Sequence, residues 1–455
     1  MKNHINLLEG NITRSITKLA VPIMAMSFLH MAYNLTDIFW IGKLGVGAVA
    51  SVGTGGLLIW FSSGIHMLSQ VGGQVYVGQS LGSKNYKLAG KYAHASLVMS
   101  AIITLTLGLV YFLFTDHIVA FFQLNDAEVI LNAKYYIQIT GGLIFFSLLS
   151  KLLTTLITTT GNSKTPLYAT ITGLTFNMIL DPILIFGLFG APKLGVVGAA
   201  IATVIAQVIV FVFLVSYTLK DKYLFSYVKL FSKPELAMCK DILKLSFPAA
   251  LHNTLTPFIS MYISRKVAGF GDSAVGVQRV GSQIESISWM TADGFAIAVN
   301  SFIAQNYGAN NLKRASEGYF KSLRIIIGYG LLISCLLIIG AKPIFSMFLN
   351  ETEAVIMGVE YLQILGLSQV FICIDIISSQ SLYALKKSTI PSVISVVFTS
   401  SRVPLTIILS ATFLGLSGIW WSLTVTSIIK GVLSTSIIIL IFKRLLAKNG
   451  KMIKQ

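Results

Sequence analysis

The chain has 455 residues, of which 55% are hydrophobic and only 11% are charged. Soluble proteins carry about 25% charged residues, so a soluble domain is excluded. The formal net charge of +17 is compatible with nucleic-acid binding, but the bases cluster in alternate short loops between apolar runs. This distribution follows the positive-inside rule of polytopic membrane proteins, so we expect a lipid bilayer and no nucleic acid as partner.

Apolar runs recur along the whole chain, and each is long enough for a bilayer crossing of about 20 residues. The loops after even-numbered runs hold most of the lysines, so these loops and both termini are expected to be cytoplasmic. Residues 1–17 show no signal-peptide cleavage pattern, so the first run is expected to remain as a span. The predicted fold class is an all-α polytopic membrane protein with twelve transmembrane helices, at 17–41, 47–73, 93–115, 131–156, 167–188, 196–218, 245–268, 274–303, 319–344, 356–383, 389–412 and 418–442.

The second half of the chain repeats the first. Segments 18–22 and 244–248 both read Lys-Leu-x-x-Pro at an offset of 226, and the Gln-x-x-Gly motifs at 79–82 and 305–308 share that offset. Each half holds an even number of spans, so both insert with the same orientation, as parallel repeats do. We predict an N-lobe at 1–218, a cytoplasmic linker at 219–243, and a C-lobe with a basic tail at 244–455.

Two carboxylates lie inside apolar runs of the first half. Asp37 stands near the outer end of the first run, and Asp181 lies in the fifth, on the same helix face as Asn177 four residues earlier. An intramembrane acid is expected to face a cavity or a partner, because an ion in hydrocarbon is costly to desolvate. At 1.5 Å per residue, Asp37, Asp181 and Thr203 lie roughly 6 to 10 Å inside the outer ends of their spans. Two carboxylates in one pocket do not both ionise readily, so at least one should bind a proton or share a cation.

The repeat singles out these acids. The partner of Asp37 in the second half is Ile263, and the partner of Asp181 is expected within 403–405. Both acids therefore belong to the first half alone, which favours a functional role over a structural one.

Each of these residues also has a purely structural interpretation. Asp37 could be an interfacial acid at a helix end, beside Trp40 and Lys43. Asn177 and Thr203 could make ordinary hydrogen bonds between helices. The sequence leaves these alternatives open.

The segment Asn-Leu-Thr-Asp-Ile-Phe-Trp-Ile at 34–41, the motif Asn-x-x-x-Asp-Pro at 177–182 and the paired Gln-x-x-Gly motifs resemble the multidrug and toxic compound extrusion (MATE) family, in its DinF-like branch. The resemblance covers nearly the whole chain. It implies the V-shaped MATE fold with two pseudo-symmetric six-helix lobes, and an antiporter that works by alternating access. Its coupling ion, H⁺ or Na⁺, would bind in the first lobe at Asp37, Asn177, Asp181 and Thr203.

The resemblance also implies the cellular context. The protein would be a monomer in the plasma membrane of a bacterium or archaeon, exporting lipophilic or cationic drugs or toxic organic compounds. It would use no cofactor besides the coupling ion. The alternative is a lipid-linked glycan flippase, which shares the two-lobe plan. An enzyme is not expected, because the sequence shows no metal-ligand cluster and no nucleophile–base pair.

Two further groups of residues are candidates for binding. Charged residues inside the second half could form a second cation or substrate site, or they could simply pair within the lobe. Aromatic and methionine side chains suit flat lipophilic cations, although such residues are often core or lipid-facing. The first group contains Arg279, Glu285, Asp293 and Asp375, together with Arg265 and Arg402; the second contains Met31, Tyr33, Asn34, Phe61 and Met67.

Overall fold

The structure is a computed structural model that describes residues 4–124, 126–229, 232–348 and 351–452. Within these ranges the regular structure is helical and no strand occurs. Residues 230–231 of the predicted linker and 453–455 of the predicted tail lie outside the described residues. The helices are α1 (Ile12–Gly42), α2 (Val46–Gly82), α3 (Tyr86–Leu113), α4 (Thr115–Phe121), α5 (Ala127–Tyr136), α6 (Ile144–Thr159), α7 (Lys164–Phe186), α8 (Val196–Lys220), α9 (Leu236–Ala268), α10 (Asp272–Gly308), α11 (Leu312–Ile339), α12 (Ala341–Ser346), α13 (Thr352–Gly366), α14 (Gln369–Ala384), α15 (Thr389–Ser400), α16 (Arg402–Ser410) and α17 (Gly415–Met452).

The helices account for the predicted spans. Nine helical segments of the described chain are long and apolar enough to cross a membrane, with α15 and α16 together forming one of them. Two further spans are bent pairs: α5 and α6 meet at 42°, and α13 and α14 meet at 44°. The remaining predicted span is α9, which has 33 residues but carries His252 and Asn253 in the middle of its apolar run.

The backbone repeats at the offset that the sequence motifs predict. Lys84 and Asn310 both take the left-handed conformation after a helix, with φ of 58° and 57°. Gly45 and Gly271, which precede α2 and α10, have φ of 112° and 107°. Each pair is 226 residues apart, so the same turns recur in both halves. A left-handed residue is rare outside glycine, and its recurrence therefore supports the internal repeat.

By internal contacts the chain divides into two compact units. The first comprises the residues up to Ile5 and the stretch Ala25–Thr254; the second comprises Asn6–Met24 and the residues from Leu255 onward. The boundaries therefore fall inside α1 and α9, whereas the predicted lobes meet in the linker at 219–243. The predicted lobes follow the sequence repeat, and that division stays a prediction.

Candidate cation site

The α7–α8 hairpin carries three of the predicted site residues. α7 ends where Gly187 takes a left-handed conformation, with φ of 76°. Gly195 then donates its backbone N–H to the carbonyl of Ile185 at 3.1 Å. A Cβ on Gly198 would lie 2.4 Å from the carbonyl oxygen of Leu184. Only glycine therefore lets the start of α8 approach the end of α7 so closely.

This close packing brings Asn177, Asp181 and Thr203 together. Asn177 and Asp181 are fully buried, and Thr203 is 8% exposed. In the orientation that satisfies both groups of the Asn177 amide, its nitrogen donates to Asp181 Oδ2 at 2.9 Å. Its oxygen then accepts from the backbone N–H of Thr203 at 3.3 Å. Pro182 has no N–H, which leaves a helix carbonyl one turn earlier without its usual donor.

Asp37 reaches the same region from α1. Its charge and that of Asp181 are close enough to interact. Asp37 Oδ1 is buried and has no hydrogen-bond partner among the described residues. Lys43 lies over the rings of Phe39 and Trp40, at 4.6 and 4.7 Å from their centroids. The described residues contain no ion pair to Asp37 or Asp181.

Two tyrosines border the acids. The Tyr33 hydroxyl lies 3.2 Å from Thr203 Oγ1, and Tyr33 stands one helical turn before Asp37 on α1. Tyr136, at the end of α5, is buried, and both it and Tyr33 interact electrostatically with Asp37 and Asp181. Tyr33 is one of the predicted substrate-cavity residues, whereas Tyr136 is not among the predicted site residues. The sequence feature that marks Tyr136 is its repeat partner, Tyr361 in the second half.

The site residues lie at similar distances from the ends of their helices. Asp37 precedes the end of α1 by five residues, Asp181 precedes the end of α7 by five, and Thr203 follows the start of α8 by seven. These separations correspond to about 8, 8 and 11 Å along the helix axes. These separations agree with the depths predicted from the sequence, and the convergence of all three side chains stays a prediction.

The oxygen atoms of these side chains suit a proton or a hard cation. Carboxylate, amide and hydroxyl oxygens are ligands that hard cations prefer. Asp37 Oδ1, buried and without a hydrogen bond, is available to either. No cluster of three or more His, Cys, Asp or Glu residues that could hold a metal occurs in the described part of the chain.

The predicted substrate-cavity residues lie on two helices of the first unit. Met31, Tyr33 and Asn34 are on α1, where Asn34 is exposed and the other two are half-buried. Phe61 and Met67 are half-buried on α2. Tyr33 contacts a coupling-site residue, Thr203. The cavity itself stays a prediction.

The second unit shows which residues occupy the positions equivalent to those of the candidate site in the first unit. A Cβ on Gly418 would lie 2.4 Å from the carbonyl oxygen of Leu409, as a Cβ on Gly198 would from that of Leu184. This equivalence pairs Leu184 with Leu409, an offset of 225. The partner of Asp181 is therefore Thr406, and the expected range of 403–405 was wrong.

The equivalent positions carry no acid. Thr406 is fully buried and lies 2.8 Å from the hydroxyl of Ser422. Ile263, the partner of Asp37, is buried in an apolar cluster. At the corrected register, Arg402 in the second half stands where Asn177 stands in the first. The register was missed because the loop that follows differs in length between the halves.

The buried charges of the second unit form a network. Asp375 pairs with Lys430, whose Nζ lies 3.3 Å from Asp375 Oδ2. Glu285 accepts a hydrogen bond from Gln369 Nε2 at 2.9 Å. Arg402 donates to the hydroxyls of Thr426 and Ser427, both at 3.0 Å, and its charge interacts with Glu285 and Asp375. Lys430 is not among the predicted site residues, although it is the only base within the apolar part of the last predicted span.

The other predicted members of this group are exposed. Arg279 lines a cavity between α9 and α10 with Ser264 and Gln278. Asp293 lies on α10, and its charge reaches Tyr383, which also interacts with Asp375. The structure thus joins Glu285 and Asp375 through Arg402, and places Arg279 elsewhere.

The family of the chain follows from its similarity to known proteins. The MatE family model matches this chain twice, at residues 22–183 and 248–408. The matches begin at Pro22 and Pro248, which the internal repeat aligns. The chain belongs to the MatE family.

Relatives and solved structures agree with this assignment. The probable multidrug resistance protein YoeA of Bacillus subtilis is 30% identical over 90% of this chain and 90% of its own length. The probable multidrug resistance protein NorM of Thermotoga maritima is 25% identical and covers 95% of this chain and 93% of its own length. The structure of a MOP superfamily transporter from Pyrococcus furiosus matches with a TM-score of 0.89 at 21% identity, over 97% of this chain and 98% of that one.

The predicted family and the all-α membrane fold class are confirmed. MatE family members are transporters, so the chain is a multi-span membrane transporter of small molecules and not an enzyme. The DinF-like branch stays a prediction.

Proposed function

We propose that the protein is an antiporter that exports lipophilic or cationic organic compounds in exchange for H⁺ or Na⁺. One observation carries the proposal: Asp37 and Asp181 interact within a MatE transporter, and neither has an ion pair among the described residues. Two such carboxylates need a proton or a cation to balance them. A mobile ion that fills this need can be exchanged for a substrate.

The exchange cycle follows from the charge of the pair. With the site open to the outside, H⁺ or Na⁺ enters and neutralises Asp37 and Asp181. The neutral site holds a cationic substrate less well, so the substrate leaves and the carrier turns inward. On the inside the ion departs, the acids regain their charge, and the next substrate binds.

The membrane potential favours this direction. A singly charged coupling ion that moves inward gains about 2.3 kcal/mol per 100 mV. The proposal includes a plasma membrane location with both termini in the cytoplasm, because the bases concentrate in the loops on that side. It also includes function as a monomer.

In this proposal each site residue has a defined task. Asp37 and Asp181 exchange the ion. The Asn177 amide and the Thr203 hydroxyl orient the Asp181 carboxylate and add oxygen ligands if the ion is Na⁺. Tyr33 holds the Thr203 hydroxyl from α1 and so links the helix of Asp37 to the hairpin of Asp181.

The alternative function is a lipid-linked glycan flippase. Such a protein needs a cationic cavity for its pyrophosphate group. The site described above is acidic, which favours the export of cations over the binding of pyrophosphate.

Uptake into inverted membrane vesicles tests the proposal, because their cytoplasmic face points outward and export runs into the lumen. Ethidium, a fluorescent lipophilic cation, is added outside vesicles whose lumen holds an excess of either H⁺ or Na⁺. We expect one of the two gradients to drive transport in the wild-type protein and neither to do so in Asp181→Asn. Transport that needs no ion gradient, or that is unchanged in Asp181→Asn, would refute the proposal.

A further inference from the structure

In the second unit, one acid is paired with a positively charged side chain of the protein itself. Asp375 on α14 and Lys430 on α17 form an ion pair at 3.3 Å, and their side chains are only 11% and 13% exposed. Ser434 donates to Asp375 Oδ1 at 2.6 Å, and Ser379 donates to the same oxygen at 3.4 Å. Both carboxylate oxygens of Asp375 are therefore engaged, in contrast to Asp37 Oδ1 in the first unit.

The two members of this pair occur together in the second half and are both missing from the first. α14 and α6 start 225 residues apart, so the partner of Asp375 is Ser150. Gly195 and Gly415, before α8 and α17, have φ of 56° and 51° and set the offset there at 220. The partner of Lys430 is thus Val210. A buried acid and a buried base at two unrelated positions are matched to each other, since either alone would be costly.

Arg402 does not compete for the role of Lys430. Its hydrogen bonds go to Thr426 and Ser427, and it forms no ion pair with Asp375 among the described residues. Lys430 is therefore the base that pairs directly with Asp375.

We propose that the Lys430 ammonium is a built-in substitute for a coupling cation, which keeps the second unit out of ion exchange. The Lys430 ammonium sits at Asp375 Oδ2, and the hydroxyls of Ser434 and Ser379 lie at Oδ1 of the same carboxylate. The ammonium thus takes the position beside this carboxylate that Na⁺ would otherwise take. The transporter consequently couples through the first unit only. Removal of the Lys430 charge turns Asp375, Ser379 and Ser434 into a sodium site. This inference rests on the proposed function, because it concerns ion coupling. Its test measures sodium binding at Asp375 and does not depend on a transport assay.

The test uses a parent protein with Asp37→Asn and Asp181→Asn, so that the first unit contributes no titratable pair. Binding of radioactive sodium and the Tm are measured on the purified full chain, in sodium chloride and in choline chloride at equal ionic strength. In the parent we expect no saturable sodium binding. Addition of Lys430→Met should create one site and a sodium-specific rise in Tm.

Two control variants separate charge from packing. Lys430→Arg keeps the positive charge and should bind no sodium. Lys430→Met combined with Asp375→Asn removes both charges, so it should fold and show the same Tm in both salts. A folded Lys430→Met protein without a sodium response overturns the proposal. Stoichiometric sodium binding by the parent, with Lys430 intact, overturns it even if Lys430→Met cannot be purified.

Discussion

The substitution Asp37→Asn separates the charge of the candidate site from its packing. Asparagine has nearly the shape of aspartate, and Asp37 Oδ1 makes no hydrogen bond that the substitution could break. The nearest base along the chain, Lys43, contacts aromatic rings and forms no ion pair with Asp37. The variant loses only an ionisable group and its repulsion with Asp181.

The structure predicts a small effect on stability and a large effect on transport. The free energy of unfolding should fall by no more than about 0.5 kcal/mol, because the variant leaves no cavity and breaks no hydrogen bond to Oδ1. Relief of the repulsion between the half-buried Asp37 and the buried Asp181 acts in the stabilising direction. Ion-driven efflux should fall at least about tenfold, which corresponds to about 1.4 kcal/mol in a rate-limiting step.

Ion-driven ethidium uptake into inverted vesicles, which corresponds to export, and the Tm of the purified protein check both parts of this prediction. The matched control is Asp116→Asn, which removes an acid that is 71% exposed and pairs with Lys134 at 2.6 Å. A surface pair of this kind contributes about 0 to 1 kcal/mol, so the control should transport normally. The reasoning fails if Asp37→Asn transports as well as the control, or if its Tm drops by several degrees.

Four further substitutions test the site, the hairpin that carries it, and the packing of the second unit. Gly198→Ala puts a Cβ 2.4 Å from a carbonyl of α7 and should cost about 1 to 3 kcal/mol of stability, with reduced efflux. Gly418→Ala makes the same clash in the second unit, so it should lower the Tm similarly and leave the candidate site intact. Tyr33→Phe removes the hydroxyl contact to Thr203 at 3.2 Å, so the ion concentration for half-maximal efflux should shift while transport persists. Arg314→Lys loses guanidinium bonds of 2.8, 2.8 and 3.3 Å to the carbonyls of residues 7–10, so its Tm should fall by an amount equivalent to about 1 to 3 kcal/mol.

Local sequence patterns predicted much of the fold. The apolar runs match the helices because a spanning segment must satisfy its backbone hydrogen bonds internally. The sequence repeat extends to details of the backbone, since Lys84 and Asn310 both take the left-handed conformation. Spacing and depth also predicted that Asp181, Asn177 and Thr203 lie together, since all three belong to one helical hairpin.

Long-range packing could not be predicted in the same way. Hydropathy marks α1 and α9 as continuous helices, but it does not show that each contributes to both compact units. Tyr136 contacts the site because Gly55 on α2 leaves room for its ring, which is a property of two distant segments. Lys430 was overlooked because its significance depends on Asp375, and their pairing exists only after α14 and α17 pack together.

Substrate-induced ion release tests the central claim most directly. Ethidium is added to the purified transporter in a weakly buffered solution, with proton release read from a pH indicator and sodium release from a radioactive tracer. We predict that ethidium displaces H⁺ or Na⁺ from the wild-type protein, and that the release disappears in Asp37→Asn and in Asp181→Asn. Ethidium binding to the wild-type protein without release of either ion would contradict the account.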